Sequence, residues 1–208
     1  MPDRDRFVLS KGHCAPALYA TLAERGFFDK EELKSLRHIG AMLQGHPCIH
    51  IPGVDMSSGS LGQGISAACG MALAAKIDNA PYRVYAVLGD GEIEEGQVWE
   101  AAMFAAQYRL DSLVAIVDNN GLQIDGKLSD VCSPEPIPEK FEAFGWHVIR
   151  MDAHDFDSIE AAMQEAETIV GKPVAIIQKS VKGKGVSFME NQVGWHGKAP
   201  NDAEYVQA

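Results

Sequence analysis

Arg83-Val84-Tyr85-Ala86-Val87-Leu88-Gly89-Asp90-Gly91 is an apolar run that stops abruptly at a glycine, an acid and a second glycine. A run of this kind reads as a buried parallel strand whose C-terminal tip turns tightly, and strand tips are where open α/β sheets hold ligands. The glycines let backbone approach a phosphate, and the lone carboxylate can face a cation. A second run, Leu113-Val114-Ala115-Ile116-Val117, ends in Asp118-Asn119-Asn120-Gly121, so its tip can lie one strand spacing from the first. Either motif alone is also consistent with an ordinary turn. Both at successive strand tips point to a pair of converging oxygen ligands.

One acid is enough for such a site when the ligand brings its own charge. Mg²⁺ prefers six oxygens and keeps waters and substrate phosphates in its shell, so a bound diphosphate supplies most of the negative charge and further carboxylates would repel it. Asp90, the Asn120 amide oxygen and a carbonyl from the following loop suit Mg²⁺, and suit Ca²⁺ or Mn²⁺ as well.

The 208 residues are enough for one domain with a buried central sheet, and 46% hydrophobic with 23% charged content is ordinary for a globular chain. A net charge of −11 argues against nucleic acid, whose backbone needs a basic face. No apolar stretch has the length of a bilayer span, and Met1-Pro2-Asp3-Arg4-Asp5-Arg6 lacks a signal peptide's apolar core, so the expectation is a cytoplasmic enzyme without a membrane partner. Cys14, Cys48, Cys69 and Cys132 form no Cys-x-x-Cys pair and read as buried reduced thiols.

From residue 83 onward strands and helices alternate. The pattern predicts a strand over 83–88, a helix near 97–110, a strand over 113–117, a short helix near 139–144, a strand over 146–149, a helix opened by an Asp157/Glu160 capping box, and a strand over 174–178. Strands separated by helices imply an α/β fold, a doubly wound, mostly parallel sheet with helices on both faces. The first 80 residues predict helices near 15–25 and 30–38, the second with an Asp29/Glu32 capping box, and a Gly-, Ala- and Ser-rich helix over 62–77 packed at close backbone approach. No strand is expected before these helices, which for a sheet built from βα units suggests an absent N-terminal piece. The expected organisation is thus one domain over 1–208: a helical leader over 1–80, a βα core over 81–180, and an active-site loop or disordered tail over 181–208.

Several blocks in order resemble the diphosphate-binding part of transketolase: Arg4 to His13 (RDRFVLSKGH), Gly45-His46-Pro47, Ser58 to Gly64 (SGSLGQG), Gly89-Asp90-Gly91, Asp118 to Gly121, and Trp195-His196-Gly197. The resemblance covers nearly the whole chain and is similar to the N-terminal subunit of transketolases split into two polypeptides. It implies the PP-type thiamine diphosphate fold, with thiamine diphosphate and Mg²⁺ as cofactors. It makes Asp90, Asn120 and the Leu122 carbonyl the metal ligands, with Gly91 and Asn120 also touching the diphosphate. His13, Gly59, Ser60 and Leu61 would line the cofactor, while His46 and His196, with His13, would be the catalytic imidazoles near the donor sugar. Such a reaction needs proton shuttling at hydroxyls and stabilisation of developing alkoxide charge, and imidazoles do both. Lys179 at a strand end is the better phosphate candidate among Lys179, Lys182 and Lys184.

The sequence departs from the family at Ser60, where proline is usual, and at Lys198, which intervenes between His196-Gly197 and Ala199-Pro200. The glutamate that activates the cofactor belongs to the C-terminal half. The resemblance therefore implies a partner, the C-terminal transketolase subunit, in a dimer of heterodimers acting on sugar phosphates. The alternatives are another thiamine-dependent ketol or acyl transferase, such as a deoxyxylulose-phosphate synthase-like enzyme, or a non-catalytic partner subunit. Glu92 and Glu94 are expected to be a solvated helix start favoured by the dipole, and Glu95 matches a family glutamate that links active sites across the dimer. His46-Pro47-Cys48-Ile49-His50 mimics a zinc cluster, but Pro47 disfavours the helix that would align its imidazoles. His38, His147 and His154 read as surface or hydrogen-bonded core residues.

Overall fold

The computed structural model describes residues 3–208. The chain opens with β1 (Arg6–Leu9), a 3₁₀ turn (Gly12–Cys14) and α1 (Ala15–Glu24), then runs through a long loop segment into α2 (Gln63–Asp78). The βα core follows as β2 (Val84–Gly89), a 3₁₀ turn (Glu92–Glu94), α3 (Gly96–Gln107) and β3 (Leu113–Asn119). A small hairpin, β4 (Leu122–Gln123) and β5 (Gly126–Lys127), leads to α4 (Leu128–Val131), α5 (Ile137–Ala143), β6 (His147–Asp152), α6 (Phe156–Thr168) and β7 (Val174–Lys179). A loop with a 3₁₀ turn at Val193–Trp195 ends in α7 (Asp202–Gln207). No helix is long and apolar enough to cross a membrane among the described residues.

The main sheet has the order β1-β2-β3-β7-β6, with every pairing parallel. Alternation along the strands splits the core into two layers. Val84, Ala86 and Leu88 of β2 with Ala115 and Val117 of β3 face α2, α3 and α5, while Val114, Ile149, Val174 and Ile176 face α6 through Ala162 and Ala166. A third cluster under the long N-terminal loop joins Ala15 and Tyr19 of α1 to Leu43 and Ile51. The Tyr19 hydroxyl donates to the carbonyls of Gln44 and His46, which ties that loop to α1.

Several expectations are corrected. A strand does precede the first helices: β1 pairs with β2 at the sheet edge. It escapes a pattern reading because it has four residues, a half-exposed Phe7, and charged neighbours instead of turn signals. Its outer edge is covered, since the Phe7 N–H donates to Asp55 (2.9 Å) and the Ser58 hydroxyl to the Leu9 carbonyl (2.6 Å), which blocks pairing with another chain. The segment near 30–38 forms a 3₁₀ helix (Lys30–Ser35) with no fully buried residue, and Leu36 turns extended to end it. Asp29 does cap it. Helix α6 is capped by Asp155, which accepts from the Asp157 N–H, and not by Asp157 itself. Glu92 is not solvated: it is 2% exposed. Of the cysteines only Cys69 is fully buried, Cys14 and Cys48 are half-buried, and Cys132 is exposed.

Helix α2 does pack at close backbone approach, and one glycine decides it. A Cβ on Gly64 would lie 2.5–2.6 Å from Ser10 atoms, including backbone Cα, whereas a Cβ on Gly70 of the same helix would meet nothing within 4 Å. Gly64→Ala should therefore destabilise the chain by about 1–3 kcal/mol through overpacking. Gly70→Ala should stabilise it by up to about 1 kcal/mol through helix propensity. Urea unfolding of both variants checks the opposite signs.

Candidate functional site

The parallel register places Gly89 level with Asp118, and Asn119 level with Lys179, so the tips of β2, β3 and β7 end together. A cavity of about 320 Å³ lies at this edge. Its wall brings together Asp90, Asn120 and Leu122 from the two strand tips, Gly59 and Leu61 from the loop before α2, and His13 and His196 from opposite ends of the chain.

Asp90 is 1% exposed. Its Oδ1 accepts from the Gly91 N–H (2.9 Å) and its Oδ2 from the Gly121 N–H (2.6 Å), so the carboxylate straddles both tips. Burial pushes its pKa up to about 6, against the lowering effect of those amides, and the nearby Asp118 charge raises it further. A buried carboxylate with amide partners but no cation in contact is the donor chemistry of a metal position. Asn120, whose Oδ1 accepts from the Leu122 N–H (3.1 Å), and Leu122 lie in the same wall and carry neutral oxygens. This set fits Mg²⁺, a hard ion that takes one or two carboxylates and completes its shell with water and phosphate.

Asp118 is handled differently. Burial would raise its carboxyl, but Lys11, just beyond the end of β1, donates to it at 2.5 Å and Ser180 donates to its other oxygen, so its pKa is held below the usual range. Lys11, held by this ion pair, lines the same cavity. Lys182 supplies a second cation in the wall. The Val181 N–H donates to the His154 ring at 2.8 Å, which ties down the backbone just before Lys182.

The histidine rings of residues 13 and 196 stack with centroids 5.3 Å apart. Burial, then the charges of His196, Lys11, Lys182 and His46, lower the His13 pKa to about 4. Burial and Lys182 lower that of His196. The His196 Nδ1 is buried without a hydrogen-bond partner, an orphan that a polar ligand group would satisfy.

The remaining expected residues divide. Gly91 lines the cavity. Ser60 is exposed and outside the wall, between Gly59 and Leu61, which are in it. His46 is also outside the wall but packs on it, since a Cβ on Gly59 would sit 3.3 Å from its ring. Lys179 lines a separate cavity of about 630 Å³ with Arg150 and Asp152, and Lys182 takes the place expected of it. Sequence reasoning missed Lys11, Glu92 and Asp118. For Lys11 and Asp118 the signal was a charge closing an apolar run; Glu92, just after a glycine turn, carries no such signal.

The fold and site define a parallel α/β domain with a polar cavity at its paired strand tips. The family described as transketolase, thiamine diphosphate binding domain, matches residues 1–208. The chain is 50% identical over 196 residues to a 6-deoxy-6-sulfo-D-fructose transketolase subunit of Clostridium sp. (strain MSTE9), covering 94% of this chain and 71% of that one. It is 45% identical to one of the apulose-4-phosphate transketolase subunits of Phocaeicola vulgatus, covering 99% and 73%. Among solved structures, a transketolase of Pichia stipitis in complex with sedoheptulose-7-phosphate superposes with a TM-score of 0.90 at 33% identity, covering 98% of this chain and 32% of that one. This chain belongs to the thiamine diphosphate-binding domain family of transketolases. It spans most of the separate subunits and about a third of the single-chain enzyme.

His13 should stay neutral well below the ordinary histidine pKa of 6.5. Because the folded value is depressed, the unfolded chain binds the proton first, so this residue's contribution to stability is lost as pH falls from about 6.5 towards about 4. An NMR titration of its ring protons in the cofactor-free chain should show no midpoint above pH 5. A midpoint near 6.5 would contradict the burial argument.

Proposed function

We infer that this chain is the diphosphate-binding subunit of a thiamine diphosphate- and Mg²⁺-dependent transketolase that moves a two-carbon ketol unit between sugars carrying an anionic group. The observation that carries the reading is the convergence of Asp90, Asn120 and Leu122 with two histidines depressed in pKa in one cavity wall. The names of the relatives support the substrate class: one acts on a sulfosugar and another on a sugar phosphate. Their designation as subunits supports a second polypeptide carrying the pyrimidine-binding half, in a dimer of heterodimers.

When bound, thiamine diphosphate supplies a nucleophilic carbon and an electron sink. This chain's residues orient and protect. Asp90, Asn120 and the Leu122 carbonyl would hold Mg²⁺, and Lys11 and Lys182 would offset remaining diphosphate charge. His13, neutral at physiological pH, and His196, with a free ring nitrogen, exchange hydrogen bonds and protons with substrate hydroxyls and stabilise alkoxide charge as it develops. His46 reaches the substrate over Gly59. The segment 181–208 is the active-site loop that delivers Lys182 and His196 to the core over 81–180, with 1–80 closing the opposite wall.

In the chain assembled with its partner, Asp90→Ala should abolish Mg²⁺-dependent thiamine diphosphate binding, read by calorimetry. Unchanged metal-dependent affinity would overturn the site assignment. His196→Ala and His46→Ala should instead leave cofactor affinity within a few-fold and lower turnover by about a hundredfold to ten-thousandfold. Wild-type rates in both variants would remove the histidines from the mechanism.

A further inference from the structure

Three polar or charged side chains are fully buried among the described residues: Ser10, Asp90 and Glu92. Asp90 has a role above. Glu92 has none, touches no cation, and lies in the same cavity wall. Its Oε1 accepts from the Ser10 hydroxyl at 2.5 Å and from the Gly62 N–H at 2.9 Å, and its Oε2 accepts from the Gly89 N–H at 3.0 Å. These donors belong to three separate elements. Ser10 follows β1, Gly62 is the N-cap of α2 directly after Gly59-Ser60-Leu61, and Gly89 is the last residue of β2 before Asp90.

We propose that Glu92 is a positioning residue that sets the two walls of the cofactor cleft as one unit, fixing the Gly59–Gly62 loop relative to the Gly89–Gly91 turn through a single carboxylate. The geometry requires an acid of this length. Both oxygens are used, all three partners are donors, and a carboxylate is the side-chain group that accepts in every direction. Burying a carboxylate is costly unless hydrogen bonds satisfy it, so the three segments cannot drift apart without stranding it. The residue next to Ser10 repeats the device: Lys11 binds Asp118, so consecutive positions after β1 pin the tips of β2 and β3. Gly62 at φ +78° and the close approach of Gly64 to Ser10 leave α2 one seating against this edge.

This inference rests on the cofactor site proposed above, and its test separates the two. Glu92→Gln keeps shape and volume but turns one acceptor into a donor. With its oxygen towards Ser10 and Gly62, its amide N–H₂ faces the Gly89 N–H, so one wall is released and the other retained. In the cofactor-free full chain, hydrogen exchange should show the Gly89 amide losing protection by about tenfold or more while the Gly62 amide keeps it. In the chain assembled with its partner, the apparent Kd for thiamine diphosphate in Mg²⁺ should rise about tenfold or more. The turnover number at saturating cofactor should stay within a few-fold of wild type. Ser10→Ala, which removes one donor of three, should raise Kd in the same direction by a smaller factor and decides the matter if Glu92→Gln does not fold. Wild-type Kd in the folded variant, or a collapse of turnover at saturation with unchanged Kd, overturns the positioning role. Asp90→Ala in parallel distinguishes the cases. Loss of binding there with none in Glu92→Gln removes Glu92 alone, whereas wild-type binding in Asp90→Ala removes the site itself.

Discussion

The level ending of adjacent parallel strands is the constraint from which the site follows. Gly89 sits opposite Asp118 because β2 and β3 pair in that register, and the register is fixed because both faces of the strands are buried. A slip by one residue would turn Val84, Ala86 and Leu88 away from α2 and α3 and onto the face of α6. The strand tips therefore cannot move relative to one another. Backbone N–H groups from both tips are left pointing at one carboxylate, Asp90, and Asn120 and Leu122 lie in the same cavity wall.

That edge gathers three carboxylates, and the protein treats each by a different physical route. Asp118 is neutralised by Lys11 and kept ionised. Glu92 receives three hydrogen bonds and no cation in direct contact; burial raises its pKa while the bonds, and then the charge of Lys11, oppose the rise. Asp90 receives amide hydrogen bonds from each tip and is left as the acid best suited to a metal. Within one row of strand tips, a structural ion pair at Asp118 is thus kept separate from Asp90, a buried acid with no cation in contact.

Much of this is legible in the chain. The strands over 83–88, 113–117 and 174–178 appear in the structure with ends shifted by a residue or two, because continuous apolar runs have no alternative to burial. Asp90 and Asn120 can be paired from sequence because each closes such a run. β1 cannot be seen as a strand, since its identity comes from pairing with β2 and from Asp55 and Ser58 covering its edge, contacts at long sequence separation. Glu92 escapes for a similar reason. An acid just after a glycine turn looks like a helix start facing water, and only the arrival of Ser10 and Gly62 from far upstream reveals that it is buried. Lys179 has the stronger sequence signal than Lys182 because it ends a strand, yet the strand end carries it into the neighbouring cavity, and it is the loop beyond Ser180 that turns back.

The histidines show why the two ends of the chain have to meet. His13 lies just after the edge strand, and His196 arrives on the C-terminal loop, which runs on into α7, a short helix opened by an Asn201–Glu204 capping box. Burial lowers the pKa of both stacked imidazoles; the charges of His196, Lys11 and Lys182 lower His13 further, to about 4, and Lys182 lowers His196. A neutral ring can donate at one nitrogen and accept at the other, which is the state a group needs in order to pass a proton along a polyol. The lysines thus place positive charge in the cavity wall and, after burial, help lower the pKa of the neighbouring imidazoles, Lys11 and Lys182 at His13 and Lys182 at His196.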